Sequence, residues 1–372
     1  MREINIAKVI TEKRKEKGIT QDELADYIGV SKASVSKWEN AQSYPDITLL
    51  PKLAGYFNIS IDELIDYLPQ MTREDIKKTY HRLAKAFSRK PFNEVLDECH
   101  IVIKKYYSCF PLLLQMALLL LNHFSLANAK EEQDAIVKEI VDMCRRIIEE
   151  SDDVWIIKQA NSIRATCFII LNKPMDTLEI LDGTLKPLLA DEIMLANAYN
   201  MLMQIDKAKM VMQVSIYQYL MVIIGFSQSY LMLTKDQPEK FEKTLERFIK
   251  LCEVFEMNDL NPNIVAQLYY SAAVGYASQN NAEKTLDMLT EFSFLCTKKL
   301  LPYKLKGDEY FDLIEEWFKD YDLDPPRDEK SIKESVLVSV TENTAFSFLQ
   351  DNLKYKNIVK QLKEFLGGEQ LC

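Results

Sequence analysis

The sequence predicts an all-α protein in which a set of short helices precedes a longer array of helix pairs. Glycine occurs only 9 times in 372 residues, strand-like alternation is not convincing, and apolar residues recur at helical spacing. A hydrophobic content of 48% is sufficient for packed cores, and the length suggests two or three domains. We therefore expect a small N-terminal helical domain followed by a larger helical one.

A helix-turn-helix is predicted between Ile19 and Asn40. Thr20 and Glu23 form a reciprocal capping box that begins the first helix. Gly29 supplies the backbone conformation of the turn, and Ser31 is placed to cap the second helix. We expect the apolar residues to pack inward, and small and basic ones to face outward from the second helix. The inward set is Leu24, Ala25, Ile28, Val35 and Trp38, and the outward set is Lys32, Ala33, Ser36 and Lys37.

Residues 4–66 resemble the helix-turn-helix family of the lambda repressor and Cro, also called the xenobiotic response element family. The resemblance rests on the motifs TQDELA, IGVSKASVSKWEN and PDITLLPKLAGYFNISIDELI, which cover five short helices at the spacing of the family. That family inserts its third helix into the major groove of double-stranded DNA. The resemblance implies a five-helix DNA-binding domain over residues 1–68 of a transcriptional regulator.

The resemblance also places eight residues at DNA-contacting positions of the family. Lysine suits the O6 and N7 atoms of guanine, and the alanine methyl suits the methyl group of thymine. The alternative for each lysine is an ordinary solvated surface charge. The positions are Lys32, Ala33 and Lys37 for base reading, Ser34 and Ser36 beside them, Gln21 as the phosphate-and-base anchor, and Asn40 and Lys52 for backbone contacts.

The charge of this segment predicts a small basic patch on an acidic protein. Residues 1–68 contain 9 Lys and Arg against 11 Asp and Glu, a net charge of −2, and the whole chain has a net charge of −10. A DNA-binding domain with a generally basic field would be positive. We therefore expect non-specific DNA binding to be weak and sensitive to salt.

A second region, residues 69–90, is predicted to be a basic linker helix. Pro69 ends the first domain, and Thr72 with Asp75 resembles a capping box. One interpretation is a solvated connector, and the other is a helix that contacts the DNA backbone. Its basic residues are Arg73, Lys77, Lys78, His81, Arg82, Lys85, Arg89 and Lys90.

Residues 91–372 are predicted to form a helical repeat domain. Polar turns at Asn172–Pro174 and Gln279–Asn281 separate similar apolar helices, and further turns fall near 128–131 and 235–238. Their separation of roughly 45 to 63 residues is longer and less regular than the tetratricopeptide repeat of about 34. The region resembles a degenerate tetratricopeptide solenoid in pattern only, with C-terminal capping helices.

The combined architecture is similar to cytoplasmic regulators of Gram-positive bacteria whose repeat domains sense peptide pheromones. In that family, asparagines on inner helices hold the peptide backbone, because an amide offers both a donor and an acceptor. The resemblance implies a peptide or protein ligand. The alternative for each residue is an ordinary polar surface or packing role. The candidates are Asn161, Asn197, Asn200, Gln213, Gln218 and Gln267, with Tyr217 and Tyr270 as walls.

Catalytic, metal and cofactor sites are not predicted. The seven cysteines lack zinc-ligand spacing and suggest a reduced, cytoplasmic protein, and the three histidines form no HExxH motif. No GxSxG motif, P-loop or signal peptide is found. The apolar stretch Phe110–Phe124 is too short to span a bilayer comfortably and predicts a buried helix. We expect neither an enzyme nor a membrane protein.

The C-terminal region gives weaker patterns. Asp308–Asp322 predicts an acidic helix with an aromatic stripe, and Asp322–Glu329 predicts a loop that contains Pro325 and Pro326. Ser347–Leu366 predicts a last helix that caps the solenoid or contacts a second subunit. A homodimer on an inverted repeat is expected, because one recognition helix reads too few base pairs. The alternative function is a protein-interaction adaptor whose helix-turn-helix is only a docking module.

Overall fold

A computed structural model describes residues 5–67, 70–183, 187, 189–321 and 327–367. Across these residues the chain is helical and contains no strand, which confirms the predicted all-α class. Leu68 and Pro69, at the predicted end of the first domain, lie outside the described residues, as do Pro325 and Pro326.

The N-terminal region contains the five predicted short helices around one core. The core includes Ile10, Leu24, Val35, Leu53 and Leu64, each fully buried. A 3₁₀ turn at Ile47–Leu49 leads into the fourth helix. The helices are α1 Ile6–Glu16, α2 Gln21–Ile28, α3 Lys32–Glu39, α4 Leu50–Phe57 and α5 Ile61–Leu64.

The remaining described residues form fifteen further helices. Two 3₁₀ turns accompany them, Phe124–Leu126 and Thr344–Leu349. The helices are α6 Arg73–Phe87, α7 Phe92–Lys105, α8 Phe110–His123, α9 Lys130–Glu150, α10 Val154–Ile170, α11 Pro174–Leu181, α12 Asp191–Met201, α13 Ile205–Thr234, α14 Pro238–Val254, α15 Met257–Leu260, α16 Pro262–Ser278, α17 Ala282–Lys298, α18 Glu315–Tyr321, α19 Glu329–Thr341 and α20 Leu353–Gly367.

The chain forms two compact units. One comprises residues 1–83 and 90–181, and the other comprises residues 84–89 and 182–372. In the first, α8, α9, α10 and α11 pack in succession. In the second, α12 packs on α13, α13 on α14 and α16, and α16 on α17. The predicted repeat of helix, polar turn and helix is confirmed at α10–α11 and α16–α17. The three-part division at residues 68 and 90 stays a prediction.

Most of the predicted helix starts are confirmed by side-chain caps. The Thr72 hydroxyl donates to Asp75 (2.8 Å) and accepts from the Asp75 backbone N–H (3.1 Å) at the start of α6. The apolar stretch Phe110–Phe124 forms the buried helix α8, in which Leu113, Met116 and Leu120 are inaccessible to solvent.

The predicted helix over Asp308–Asp322 is wrong in its first half. Only Glu315–Tyr321 is helical, because the Asp308 carboxylate accepts from the backbone N–H groups of Tyr310 and Phe311 and holds them in a turn. The last helix was predicted to begin at Ser347, but it begins at Leu353. The Asn352 side chain caps this start by accepting from the N–H groups of Lys354 and Tyr355.

One helix in the described part of the chain, α13, is long and apolar enough to cross a membrane. Its most apolar window has a mean hydropathy of 1.5, and 28% of that window is buried. Length and composition alone are weak evidence for a membrane span, because long helices in the core of a protein can have the same length and composition. In the structure, α13 packs against α12, α14 and α16.

Candidate nucleic-acid interface

The turn between α2 and α3 has the geometry that the sequence predicts. Thr20 accepts from the Glu23 backbone N–H (3.2 Å), and the Thr20 N–H donates to the Glu23 carboxylate (2.7 Å). Gly29 has φ +84°, which residues with a β-carbon rarely adopt, and Ser31 accepts from the Ser34 N–H (3.2 Å). These contacts fix the angle at which α3 leaves the turn.

A hydrogen-bonded clamp joins the first three helices. The Arg14 guanidinium donates to both oxygens of Glu39 (2.5 and 3.1 Å) and to the Ile19 carbonyl (2.7 Å). The Gln21 amide also donates to Glu39 (2.8 Å). The Glu39 side chain is only 6% exposed and that of Arg14 is 14% exposed. The clamp holds the end of α3 against α1 and the start of α2.

The charge of Glu39 is maintained by this clamp. Burial raises the pKa of the carboxyl, but the hydrogen bonds from Arg14 and Gln21 lower it by more, so the pKa of Glu39 lies below its usual value. Glu39 is therefore an anion at neutral pH, and it orients the Gln21 amide through a charge-assisted hydrogen bond.

Lys32 and Lys37 are both exposed on α3, but their surroundings differ. The Lys32 ammonium lies 2.6 Å from the Asp22 carboxylate, and both side chains are about 60% exposed. Lys37 has no ion-pair partner within the described residues. Ala33 is exposed between them along the chain. Lys32 and Ala33 therefore place a paired cation and a methyl group at the start of α3, and Lys37 is an unpaired cation in its last turn.

The other predicted contact residues take part in local structure. The Asn40 amide donates to the Ser36 carbonyl (2.8 Å) and reaches its hydroxyl (3.4 Å), while Ser34 shares a hydrogen bond with Ser31. The Lys52 ammonium donates to the Ile28 carbonyl (2.8 Å) and so satisfies the end of α2. Lys52 retains two further N–H donors, and DNA contacts for all eight residues stay predictions.

Sequence reasoning missed three residues of this surface. Arg14 and Glu39 form the clamp, but they lie 25 positions apart, so no local pattern connects them. Tyr44 is 66% exposed in the loop after α3, which is held by hydrogen bonds from Gln42 and Ser43 to the Lys37 carbonyl. For Tyr44, the sequence did contain a signal, namely an aromatic residue within a short polar loop.

The basic face of α6 is partly neutralised. Arg82 and Lys90 both bind the Glu98 carboxylate, at 2.7 and 2.5 Å, and Lys90 also lies 3.1 Å from Glu94. Lys78 pairs with Glu74 within the helix at 3.5 Å. These pairs favour the solvated-connector interpretation over a phosphate-binding one.

The structure changes the role of two predicted ligand-binding residues. The Gln213 amide binds Asp312 (2.7 Å) and accepts from the Leu313 N–H (2.8 Å), so its polar atoms are occupied. Tyr217 is only 2% exposed and packs against Phe311 and Phe318, which makes it a core residue and not a groove wall.

The remaining ligand candidates are divided between the two units. Asn161 belongs to the first unit, whereas the others belong to the second. The side chains of Asn161, Asn197, Asn200 and Gln218 have no hydrogen-bond partner within the described residues. The Gln267 side chain accepts from the Gln228 amide (2.9 Å) and donates to Asn263 (3.3 Å).

Six cysteines lie buried in the described chain, as the sequence predicts. Burial raises the pKa of five of these thiols to about 12. Such thiols behave as inert core residues. No cluster of metal-binding side chains occurs in the described parts of the chain. The five are Cys99, Cys144, Cys167, Cys252 and Cys296.

Comparison with known proteins identifies the N-terminal region. Residues 10–64 match a family model described as helix-turn-helix. The chain is 34% identical over 71 residues to the HTH-type transcriptional activator BcrR of Enterococcus faecalis, which covers 18% of this chain and 35% of BcrR. It therefore spans about a third of that relative. It is also 34% identical over 99 residues to the HTH-type transcriptional regulator SinR of Bacillus subtilis strain 168, covering 25% of this chain and 89% of SinR.

Two solved structures align over most of the chain at low similarity. PlcR of Bacillus thuringiensis, solved with the peptide PapR7 and DNA, is 15% identical with a TM-score of 0.32, covering 87% of this chain and all of PlcR. Apo ComR of Streptococcus vestibularis is 14% identical with a TM-score of 0.27, covering 87% of this chain and 99% of ComR. These TM-scores are too low to support an inference about fold or function.

Proposed function

The chain belongs to the family of helix-turn-helix transcriptional regulators, and from that premise we propose that it reads a specific DNA operator through the exposed face of α3. Lys32, Ala33 and Lys37 read base edges in the major groove, and Ser34 and Ser36 lie beside them. Gln21 contacts both phosphate and base, and Asn40 and Lys52 contact the DNA backbone. The protein acts in the cytoplasm, where its operator is accessible.

The observation that carries this proposal is that α3 is fixed at both ends while Lys32, Ala33 and Lys37 face solvent. Base readout requires side chains held in a fixed position, and α3 is fixed by Gly29, by the Ser31 cap and by the Arg14–Glu39 pair. The exposed ammonium of Lys37 can then donate to the O6 and N7 atoms of guanine, and the methyl of Ala33 can contact the methyl group of thymine. A docking module for protein would not need an unpaired cation at this position.

Recovery of bound DNA from cells is the direct test. The tagged full chain is crosslinked and the attached genomic DNA is sequenced, with a Lys32→Ala, Lys37→Ala double variant as the control. A shared motif that disappears in the double variant supports the proposal. Recovery of no common motif would favour the adaptor function.

We propose that the DNA-binding form is a homodimer, held together in part by α13. Six apolar side chains at spacings of three and four residues lie on one face of this helix and are 38–78% exposed. This stripe extends over about 21 Å of helix. An apolar patch of roughly several hundred Å² is typical of an interaction surface. A second copy of α13 offers the matching apolar stripe by twofold symmetry. The α13 stripe consists of Tyr219, Val222, Ile223, Phe226, Tyr230 and Leu233.

A peptide ligand that binds the repeat region is proposed to modulate DNA affinity. The unpartnered amides of Asn197 and Asn200 lie on the same face of α12 as the exposed Ile193 and Met201. Amides beside apolar side chains suit an extended peptide, whose backbone needs both donors and acceptors. Modulation requires that the ligand bind the DNA-competent and the incompetent conformation with different affinity.

Thermal unfolding of the full chain with short synthetic peptides tests this modulation. A peptide that binds the folded state raises the melting temperature, and the rise grows with the logarithm of the peptide concentration once that concentration exceeds the dissociation constant. Replacement of Asn197 and Asn200 by alanine removes the shift and leaves DNA binding of the free protein unchanged. An unaltered shift in the double variant would contradict the assignment of these two residues.

A further inference from the structure

A basic recess lies in the second unit, where the end of α13 meets the start of α14. It has a volume of about 780 Å³ and is open to solvent. Among the described residues that line it, Lys240, Lys243 and Arg247 are cations and Glu239 is a carboxylate. This lining has a net charge of +2, whereas the whole chain has a net charge of −10. We call this feature the α14 basic recess.

The three cations of the recess share one face of α14. They follow one another at spacings of three and four residues, which makes successive side chains neighbours on the surface of a helix. At a rise of about 1.5 Å per residue, the row covers about 10 Å of the helix. All three residues are exposed. The recess therefore presents a short row of positive charge.

The three cations have no ion-pair partner in the described part of the chain. Two carboxylates of α14 are bound elsewhere, since Glu242 pairs with Lys284 (2.8 Å) and Glu246 pairs with Lys250 (2.6 Å). Glu239 also forms no ion pair within the described residues, although it lies one helical turn before a cation in the order that favours pairing. The positive charge of the row is therefore available to an anion from solution.

Tyr230 of α13 positions one end of the row. The Lys240 ammonium lies 5.6 Å from the centroid of the Tyr230 ring, which is within the range of a cation–π interaction. This contact holds Lys240 from the side of α13. An anion in the recess would contact the cations of α14, so the Tyr230 ring itself does not need to be exposed.

We propose that the α14 basic recess binds a small anion made of linked phosphate groups, either a free oligophosphate or the phosphate chain of a nucleotide. A guanidinium donates two parallel hydrogen bonds to a phosphate, and an ammonium binds phosphate as a point charge. A chain of phosphates distributes its charge along a row of cations, whereas one phosphate is a single group. The volume lies within the range of about 300–1,000 Å³ that is typical of small-molecule sites. The proposal does not depend on DNA reading or on peptide modulation.

Calorimetry on the full chain in magnesium-free buffer tests this site with four probes: tripolyphosphate, ATP, AMP and citrate. Tripolyphosphate should bind about tenfold or more tightly than citrate, which carries three carboxylates but no phosphate chain. ATP should likewise bind more tightly than AMP. Tighter binding of ATP than of tripolyphosphate would identify a nucleotide ligand, and the reverse order would identify a free oligophosphate. Equal binding of tripolyphosphate and citrate, equal binding of ATP and AMP, or no binding of any probe would overturn the proposal.

Variants identify the residues involved. Lys243→Gln with Arg247→Gln should weaken tripolyphosphate binding about tenfold or more, the loss expected when charged hydrogen bonds are removed. Glu239→Gln should strengthen binding, because it removes the carboxylate that repels the anion. The control is Lys356→Gln with Lys360→Gln, which removes the same charge from exposed residues of α20 that do not line the recess. Circular dichroism confirms that each variant retains its helices.

The outcomes separate a phosphate site from a general attraction of anions and from a DNA-binding surface. An equal loss in the α20 control would mean that net charge attracts the anion, and it would overturn the assignment to this recess. Full binding by the α14 double variant would do the same. If the α14 double variant also loses affinity for a random duplex, the recess belongs to a DNA-binding surface and the proposal is overturned. Loss of tripolyphosphate binding with unchanged duplex binding supports it.

Discussion

Lys37 and Lys32 carry the same charge on one helix, but only Lys37 is unpaired in the described structure. We predict that Lys37→Ala weakens operator binding by about 1–3 kcal/mol and random DNA binding by less. Lys32→Ala should have a smaller effect, because Lys32 must first give up its contact with Asp22. An exposed pair of this kind contributes about 0–1 kcal/mol.

Fluorescence anisotropy with operator and random duplexes measures both losses. Lys250→Ala is the charge-matched control, since Lys250 is exposed on α14 and pairs with Glu246. Equal losses on the two duplexes would mean that these lysines touch only phosphates.

The clamp at Glu39 predicts a pH dependence of the N-terminal domain. Because the folded-state pKa of Glu39 is lowered, its stabilisation is present above the unfolded pKa of about 4.3 and is lost as pH falls through the folded pKa. Glu39→Gln should destabilise the domain by about 2–3 kcal/mol at pH 7, since Arg14 keeps its buried charge without a counterion.

Hydrogen exchange of α2 and α3 amides in the full chain reports this stability. The difference between the variant and the wild type should narrow as pH decreases from 5 toward 3, after correction for intrinsic exchange. A difference that stays constant over this range would show that the charge of Glu39 does not stabilise the domain.

At the scale of elements, the turn between α2 and α3 depends on Gly29. Gly29→Ala should destabilise the domain by about 1 kcal/mol, because a β-carbon is strained at φ +84° although no atom lies closer than 3.8 Å to its position. Gly55→Ala is the matched control. Gly55 lies within α4 with open space around it, so alanine there should stabilise by about 0.5–1 kcal/mol. Thermal unfolding and operator binding distinguish the two variants, and a Gly29→Ala domain as stable as the wild type would contradict this account.

Elements were predictable from the sequence where their determinants are local. The caps at Thr20, Ser31 and Thr72 act within three residues, and all three were confirmed. The helix predicted from Asp308 begins only at Glu315, because the Asp308 carboxylate holds a turn and because Gln213, 100 positions away, accepts from the Leu313 N–H. The spacing of apolar residues along the sequence carries no information about contacts of this kind.

The candidate site shows the same limit. The resemblance placed Gln21 and Lys52 at DNA-contacting positions, but it did not reveal that they bind Glu39 and Ile28, 18 and 24 positions away. Whether a polar residue reads DNA or supports the domain depends on partners that are distant in sequence.

At the scale of the whole molecule, we predict a dimer that protects both halves of an inverted repeat. Phe226→Asp with Leu233→Asp should shift the protein toward monomer and shorten the footprint to one half-site, because two charges would be buried in the apolar interface. Val254→Asp is the control, as Val254 is equally exposed but lies on α14. Sedimentation at micromolar concentration measures the change. A wild-type monomer, or an unchanged dimer in the double variant, would contradict the α13 interface.

Selection from a random duplex library by the full chain tests the central claim most directly. The account predicts that repeated rounds enrich one inverted-repeat sequence, and that its affinity exceeds that of random DNA by about 10³-fold or more at physiological salt. Enrichment should be lost in the Lys32→Ala, Lys37→Ala double variant. Enrichment of no sequence, or of the same sequence by the double variant, would contradict the claim that the exposed face of α3 reads DNA.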